Sequence, residues 1–272
     1  MRVPRAVAVI IPTAVLLPLI AAGAGAATPR HGSAGATTPR KLQIMVTNDD
    51  GYNAPGIATI SSALAKLSNV HVIVVAPATN QSGAGGSTTT GTLTITKGKT
   101  LNGLPAYAVQ GTPADTIRAA LNQLHLHPDL VVSGINAGQN LGPMVDLSGT
   151  VGAARAAVAR DLPAIAVSAG LGNPYQFKAA VPPVLKWVRY WRKLLLSHRT
   201  AKHVLNINVP NCATGSVRGV VRVPADLNTS DIGAALATPD CTSTAPPGGT
   251  DVTAFAVGYG TESVIPSKPA TS

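Results

Sequence analysis

The chain has 272 residues, with 21 Lys and Arg against 11 Asp and Glu, for a formal net charge of +10. An apolar fraction of 45% and a charged fraction of 12% exclude disorder of the whole chain and allow one large or two small domains. Aromatic residues make up 3%, which argues against a platform of stacked bases, and Glu262 is the sole glutamate, so any acid chemistry falls to aspartates.

Arg2 and Arg5 open the chain, Ala6 to Ile20 is apolar, and Ala21 to Ala27 is built of small residues. Ala24-Gly25-Ala26 matches an A-x-A cleavage site, so residues 1–26 read as a secretory signal peptide cut near Ala26. The alternative is a membrane anchor, against which Pro12, Pro18 and the Gly/Ala-rich end count. The expectation is a secreted protein with no membrane attachment after cleavage. Residues 27–40 carry Pro, Gly, Ser and Thr without periodicity and read as a flexible lead-in.

A strand is expected over Leu42–Val46, running into Thr47-Asn48-Asp49-Asp50-Gly51. Apolar residues at 57, 60, 64 and 67 have helical spacing, and Val70–Ala76 is a β-branched strand. Together they make a βαβ unit. Shorter strands are expected at Thr92–Thr96 and Ala106–Val109. Pro113 opens a helix to Leu124 with Thr112 as N-cap. Asp129–Ser133 is a strand that ends in a glycine-rich turn, Gly134 to Gly142. A helix over Gly149–Arg160, a strand over Ala164–Ser168, a long helix over Phe177–Ser197 and a strand over Val204–Val209 follow. This alternation implies an α/β fold: a Rossmann-like, doubly wound, mainly parallel sheet occupying residues 41–210.

After Pro210 the composition shifts to Pro, Gly, Thr, Ser and Ala, and residues 211–272 read as a loop-rich C-terminal β extension. Both cysteines, Cys212 and Cys241, fall in it, and in an exported chain they suggest a disulfide; a metal pair would lack further Cys or His within the loop. Residues 251–265 are expected to form closing strands. The basic residues are dispersed, apart from Lys186–Arg199, which favours a generally basic surface over a nucleic-acid groove.

In an open parallel sheet, ligands bind at the carboxyl ends of the strands. There the chain offers Asp49 and Asp50 after the first strand, Ser82 after the second, and Asn136 and Asn140 after the Asp129 strand. Adjacent carboxylates repel unless a cation or protons neutralise them, and this all-oxygen set suits Mg²⁺ or Mn²⁺ better than Zn²⁺. Ser148-Gly149-Thr150 opens a helix, whose free N–H groups and hydroxyls make an anion site. Taken singly, each motif could be an ordinary turn or cap. Their convergence on one rim favours a function, and a cation beside a helix start suits phosphoryl chemistry. Asp115 and Asp146 read as a helix residue and a surface charge outside the site.

These residues resemble a known family. Thr47-Asn48-Asp49-Asp50-Gly51 followed by Ala54-Pro55-Gly56-Ile57 is similar to the opening signature of the SurE-type nucleotidases, the stationary-phase survival phosphatases. Val75-Ala76-Pro77 with Asn80, Ser82 and Gly83 fits, as do Gly111 to Asp115, Pro128 to Asn136, Ser148 to Ala154, Pro163 to Ser168 and Asn206 to Pro210. The resemblance implies a metal-dependent phosphatase of nucleoside monophosphates, a 5′- or 3′-nucleotidase. It implies one divalent metal on Asp49, Asp50, Ser82 and Asn136, and a phosphate site at Asn140, Ser148, Gly149 and Thr150. It also implies a homodimer, although the region after Pro210 departs from the family pattern. An exported metal–nucleotide or phosphate binding protein without turnover is the alternative. A nicotinamide oxidoreductase would need G-x-G-x-x-G after the first strand, where Asn-Asp-Asp-Gly stands instead. A serine hydrolase would need G-x-S-x-G, which is absent.

Overall fold

The computed structural model describes residues 40–197 and 202–269. The expected signal peptide, and the lead-in apart from Arg40, lie outside the described residues.

Strand β1 (Leu42–Thr47) is buried on both faces, as expected for Leu, Ile, Met and Val in the middle of a parallel sheet. It is followed by helix α1 (Pro55–Ala65) and strand β2 (Val70–Pro77). Strands β3 (Ile95–Lys99) and β4 (Pro105–Val109) form a hairpin, and α2 (Pro113–Arg118) leads to β5 (Leu130–Ala137). Helix α3 (Gly149–Val158), β6 (Ala164–Ala169), α4 (Val181–Leu196) and β7 (His203–Val209) complete the alternation. Strand β8 (Val220–Arg222), helices α5 (Ile232–Leu236) and α6 (Asp251–Ala256) and strand β9 (Gly260–Pro266) end the described chain.

The nine strands of the described residues lie in one sheet, in the order β3-β4-β2-β1-β5-β6-β7-β9-β8. From β4 to β7 the neighbours are parallel. Taken in chain order, these strands have the doubly wound Rossmann arrangement, which reverses direction between β1 and β5. Side-chain alternation along β1 explains the two layers. Leu42, Ile44 and Val46 pack with Ile57, Ile60 and Leu64 of α1 and Val184 and Val188 of α4. Met45 faces the other way, in a cluster with Ile117 of α2 and Val151 and Ala154 of α3. Gly56 allows α1 to touch the sheet, since a Cβ there would run into the Ile135 carbonyl.

Several boundaries differ from the sequence reading. The first hairpin strand begins at Ile95 rather than Thr92, because antiparallel pairing runs from Ile95 opposite Val109 to Lys99 opposite Pro105. Leu93 is held by a side chain instead: its N–H donates to Gln123 Oε1 at 3.2 Å and its carbonyl accepts from Gln123 Nε2 at 2.9 Å. Helix α2 ends at Arg118 and continues as a widened turn over Ala119–Gln123. Strand β5 runs on through Gly134 to Ala137, where a turn was expected, with a register shift against β6 between Ser133 and Asn136. A 3₁₀ turn, Phe177–Ala180, precedes α4.

The C-terminal region corrects the expectation most. Residues 251–256 form a helix, and only Gly260–Pro266 is a strand. Thr250 caps that helix reciprocally with Thr253, and this outweighs the β-branched and aromatic composition. Strand β9 pairs antiparallel with β7, and β8 joins it in parallel, so the extension's strands widen the main sheet. No helix among the described residues is long and apolar enough to cross a membrane.

Cys212 and Cys241 form a disulfide, with Cα atoms 5.7 Å apart and a sequence separation of 29. On the chain-entropy account such a bridge contributes ~3–4 kcal/mol. Thiol labelling of the unreduced, unfolded protein should find no free cysteine. The double Cys→Ser variant should unfold at a correspondingly lower denaturant concentration.

Candidate active site

The switch point between β1 and β5 carries the carboxylates. After β1, the Asn48 side chain folds over the turn: Oδ1 accepts from the Gly51 N–H at 3.2 Å and Nδ2 donates to the Gly51 carbonyl at 3.0 Å. Gly51, at φ 108°, supplies the positive φ that this turn requires. Asp49 and Asp50 thus project from the strand end.

Asp49 is 3% exposed. Its Oδ1 accepts a hydrogen bond from Thr150 Oγ1 at 2.5 Å. A Cβ at Gly149 would lie 2.8 Å from Asp49 Cβ and 3.1 Å from Oδ2, so only glycine lets the α3 start sit this close to the carboxylate. Ser148 caps α3 by accepting the Val151 N–H at 3.1 Å, which leaves the first helical N–H groups without intrahelical partners.

The other loops join from either side. The Asp49 carbonyl accepts from the Gln81 N–H at 2.7 Å, which ties down the loop bearing the exposed Ser82. Asp50 Oδ2 accepts from the Ala137 N–H at 3.3 Å, at the end of β5. Next to it, Asn136 donates from Nδ2 to the Gly138 carbonyl at 2.7 Å.

Asn140 sits in a separate buried network. Its N–H donates to Asn208 Oδ1 at 2.7 Å and its Nδ2 to Ser168 Oγ at 2.9 Å. Its carbonyl accepts from Asn206 Nδ2 at 2.8 Å and Asn208 Nδ2 at 3.1 Å. The structure therefore brings Asp49, Gly149 and Thr150 into contact and anchors Ser82 and Asp50 to their surroundings. It fixes Asn140 on β6 and β7 rather than on the helix start.

The family described as "Survival protein SurE" matches residues 44–229, a span that includes every candidate residue. The chain belongs to the SurE family.

A relative from Paramagnetospirillum magneticum, "5'-nucleotidase SurE", is 40% identical over 193 residues, covering 67% of this chain and 69% of that protein. "5'/3'-nucleotidase SurE" of Yersinia pseudotuberculosis is 41% identical over 181 residues, 66% of this chain and 67% of that protein. The crystal structure of the SurE protein from Aquifex aeolicus is similar at a TM-score of 0.66 and 29% identity, covering 84% of this chain and 95% of that one.

Within this SurE-family rim the electrostatics are unfavourable to two free carboxylates. Burial pushes the Asp49 carboxyl up from its usual range, against the Thr150 hydroxyl and N–H, which favour its charge. Asp50 is pushed up to about 6, first by burial and then by the Asp49 charge, opposed by the Ala137 N–H. A cation would relieve both. Among the described residues no group of three or more His, Cys, Asp and Glu could hold a metal, so the carboxylates would need amide and hydroxyl oxygens beside them. Asn136 and Ser82 offer such oxygens, which fits a hard divalent cation.

Several supporting groups had no role assigned from the sequence. Asn206 and Asn208 stand two apart on a strand that is buried from Val204 onward, a signal that they serve a polar network inside the sheet. Asp251, expected in a strand, accepts at Oδ2 from the Gly142 N–H at 3.0 Å and at Oδ1 from the Asp226 N–H at 2.8 Å. Gln139 Nε2 donates to the Ala235 carbonyl at 3.3 Å, so the C-terminal helices brace the loop after β5. Asp115 proves to be the buried partner in the Thr112 capping box, and Asp146 pairs with Arg155.

Gly152, on α3, lies under the Ser82 loop, and a Cβ there would run into the Gly85 carbonyl. Gly152→Ala should displace that loop, destabilising the fold by ~1–3 kcal/mol through overpacking. Thermal unfolding together with kcat measured at saturating cation would show it.

Proposed function

We propose that this SurE-family protein is an exported phosphatase that hydrolyses nucleoside monophosphates, as a 5′- or 3′-nucleotidase dependent on Mg²⁺ or Mn²⁺. The observation that carries this reading is the contact between the buried Asp49 carboxylate and the start of α3, which would set the proposed cation and anion sites side by side. The names of the relatives support the nucleotide substrate.

Asp49, Asp50, Ser82 and Asn136 would hold the cation. When bound, such an ion polarises a phosphoryl oxygen and lowers the pKa of a coordinated water. The chain's own groups do the rest. The Gly149 N–H and the Ser148 hydroxyl would face the developing charge on the phosphoryl oxygens, while the Thr150 N–H and hydroxyl serve Asp49. Thr150 also holds Asp49 in place, so the helix start and the carboxylate move as one unit. Asn140, fixed by Ser168 and Asn208, is a rigid polar group for a further phosphoryl contact.

The test is phosphate release across 5′- and 3′-nucleoside monophosphates, polyphosphate and an aryl phosphate, with EDTA and after adding back Mg²⁺ or Mn²⁺. Cation-restored turnover of mononucleotides is expected. Tight nucleotide binding without release would favour the binding-protein reading. Export is checked by expressing the full chain and sequencing the N-terminus of secreted protein, which should begin near Ala27. Sedimentation of that protein tests the expected homodimer.

A further inference from the structure

The sequence contains no acidic residue between Asp161 and Asp226, and the middle of that stretch is α4. The outward side of α4 carries Lys186, Arg189, Tyr190, Lys193 and Leu194. Tyr190 is 78% exposed and Leu194 37%. Among the described residues, none of these cations is in an ion pair. Trp191 packs edge-on against Tyr190 at 5.0 Å and tilted against Trp187 at 6.1 Å. This aromatic shoulder opens into a groove of about 380 Å³, whose lining includes Lys202, Arg222 and Val264, the last 46% exposed.

We propose that this face of α4 is a docking surface for a membrane bearing anionic phospholipids. Lys and Arg interleaved with Trp, Tyr and Leu on an exposed helix face are what a headgroup interface accommodates: cations meet phosphates, and apolar groups enter the acyl boundary. Glu262 of β9 stands opposite Arg222 of β8 in the strand register and offsets that one cation, which leaves Lys186, Arg189, Lys193 and Lys202 in excess. A second copy is a poor occupant, because an isologous contact would set Lys186, Arg189 and Lys193 against themselves. Nucleic acid would match the charge but not the exposed Leu194 and Val264. Helix α4 carries the chain from the C-terminal end of β6 back to the N-terminal end of β7. Its last turns therefore lie at the end of the sheet opposite the carboxylate rim, and a docked molecule keeps its rim open to solvent. The inference does not rest on the proposed catalytic activity.

The secreted protein, its N-terminus identified by sequencing, is mixed with vesicles of phosphatidylcholine, with or without phosphatidylglycerol, and sedimented. Binding to phosphatidylglycerol vesicles, weakened by salt, is expected. Each cation at an anionic surface contributes about 5-fold to partitioning, so Lys186→Glu with Arg189→Glu and Lys193→Glu should lower binding by at least about 100-fold. Tyr190→Ser with Leu194→Ser, which keeps the charge, should also weaken it. Circular dichroism of each variant shows that it is folded. No preference for phosphatidylglycerol, or undiminished binding by the folded charge variant, would overturn the proposal. So would tighter binding of single-stranded DNA than of vesicles, or a dimer that dissociates on Tyr190→Ser.

Discussion

Asp50→Asn is expected to lower phosphate release from a nucleoside monophosphate by at least about 10²–10³-fold, the loss typical of one essential charge-stabilising group. The same change should stabilise the cation-free protein at neutral pH. The Asp50 carboxyl is raised from 3.8 to about 6, so the folded state prefers its protonated form. Stability from this group is therefore fully present below pH 3.8 and is lost as the pH rises through about 6. At pH 7 the ionised Asp50, buried first of all and then set beside the Asp49 charge, is a net cost to the cation-free fold. Asparagine removes that cost and can still accept the Ala137 N–H. The expected gain in Tm is a few degrees, with ~2–4 °C per kcal/mol for a domain of this size. In the wild type, Mg²⁺ or Mn²⁺ should raise Tm, and in Asp50→Asn much less. A variant that keeps turnover, or that melts lower without cation, would contradict the assignment of Asp50 as a carboxylate opposed by its neighbour.

Thr150→Val is expected to reduce kcat by about 10²-fold and to weaken cation binding by ~10–100-fold at the same time, while Thr150→Ser restores most of both. The reason is the bond to Asp49 at 2.5 Å, which makes Thr150 a positioning residue for the carboxylate as well as part of the helix start. The proposed cation and phosphate shells, expected from sequence to be separate, would share this side chain. Asn140 has no such link: its side chain is held by Ser168. Asn140→Ala should therefore lower kcat with cation affinity little changed. Titration calorimetry with Mn²⁺, alongside kcat at saturating Mn²⁺, separates the two variants. Equal cation affinities in both would show that the Thr150–Asp49 bond does not orient the carboxylate.

The sequence by itself determined the doubly wound sheet and which polar residues follow its strands. The parallel strands are written as apolar runs, such as Ile44–Val46 and Val72–Ala76, and the helices between them follow a 3.6-residue period with legible caps at Thr112 and Ser148. Because ligands gather where such a sheet reverses, polar residues after the strands could be nominated without coordinates.

Only the tertiary structure decided what those residues touch. Asp49 and Thr150 are 101 positions apart, and their bond exists because Gly149 lets α3 approach the end of β1. The extension after Pro210 was opaque for the same kind of reason. Its short α6 is capped locally, but Asp251 acts through the distant Gly142 N–H, and β9 gains its strand character from antiparallel pairing with β7. Local periodicity records which face of an element is buried; it does not record which buried polar group meets which, because that depends on the register of elements brought together across the fold.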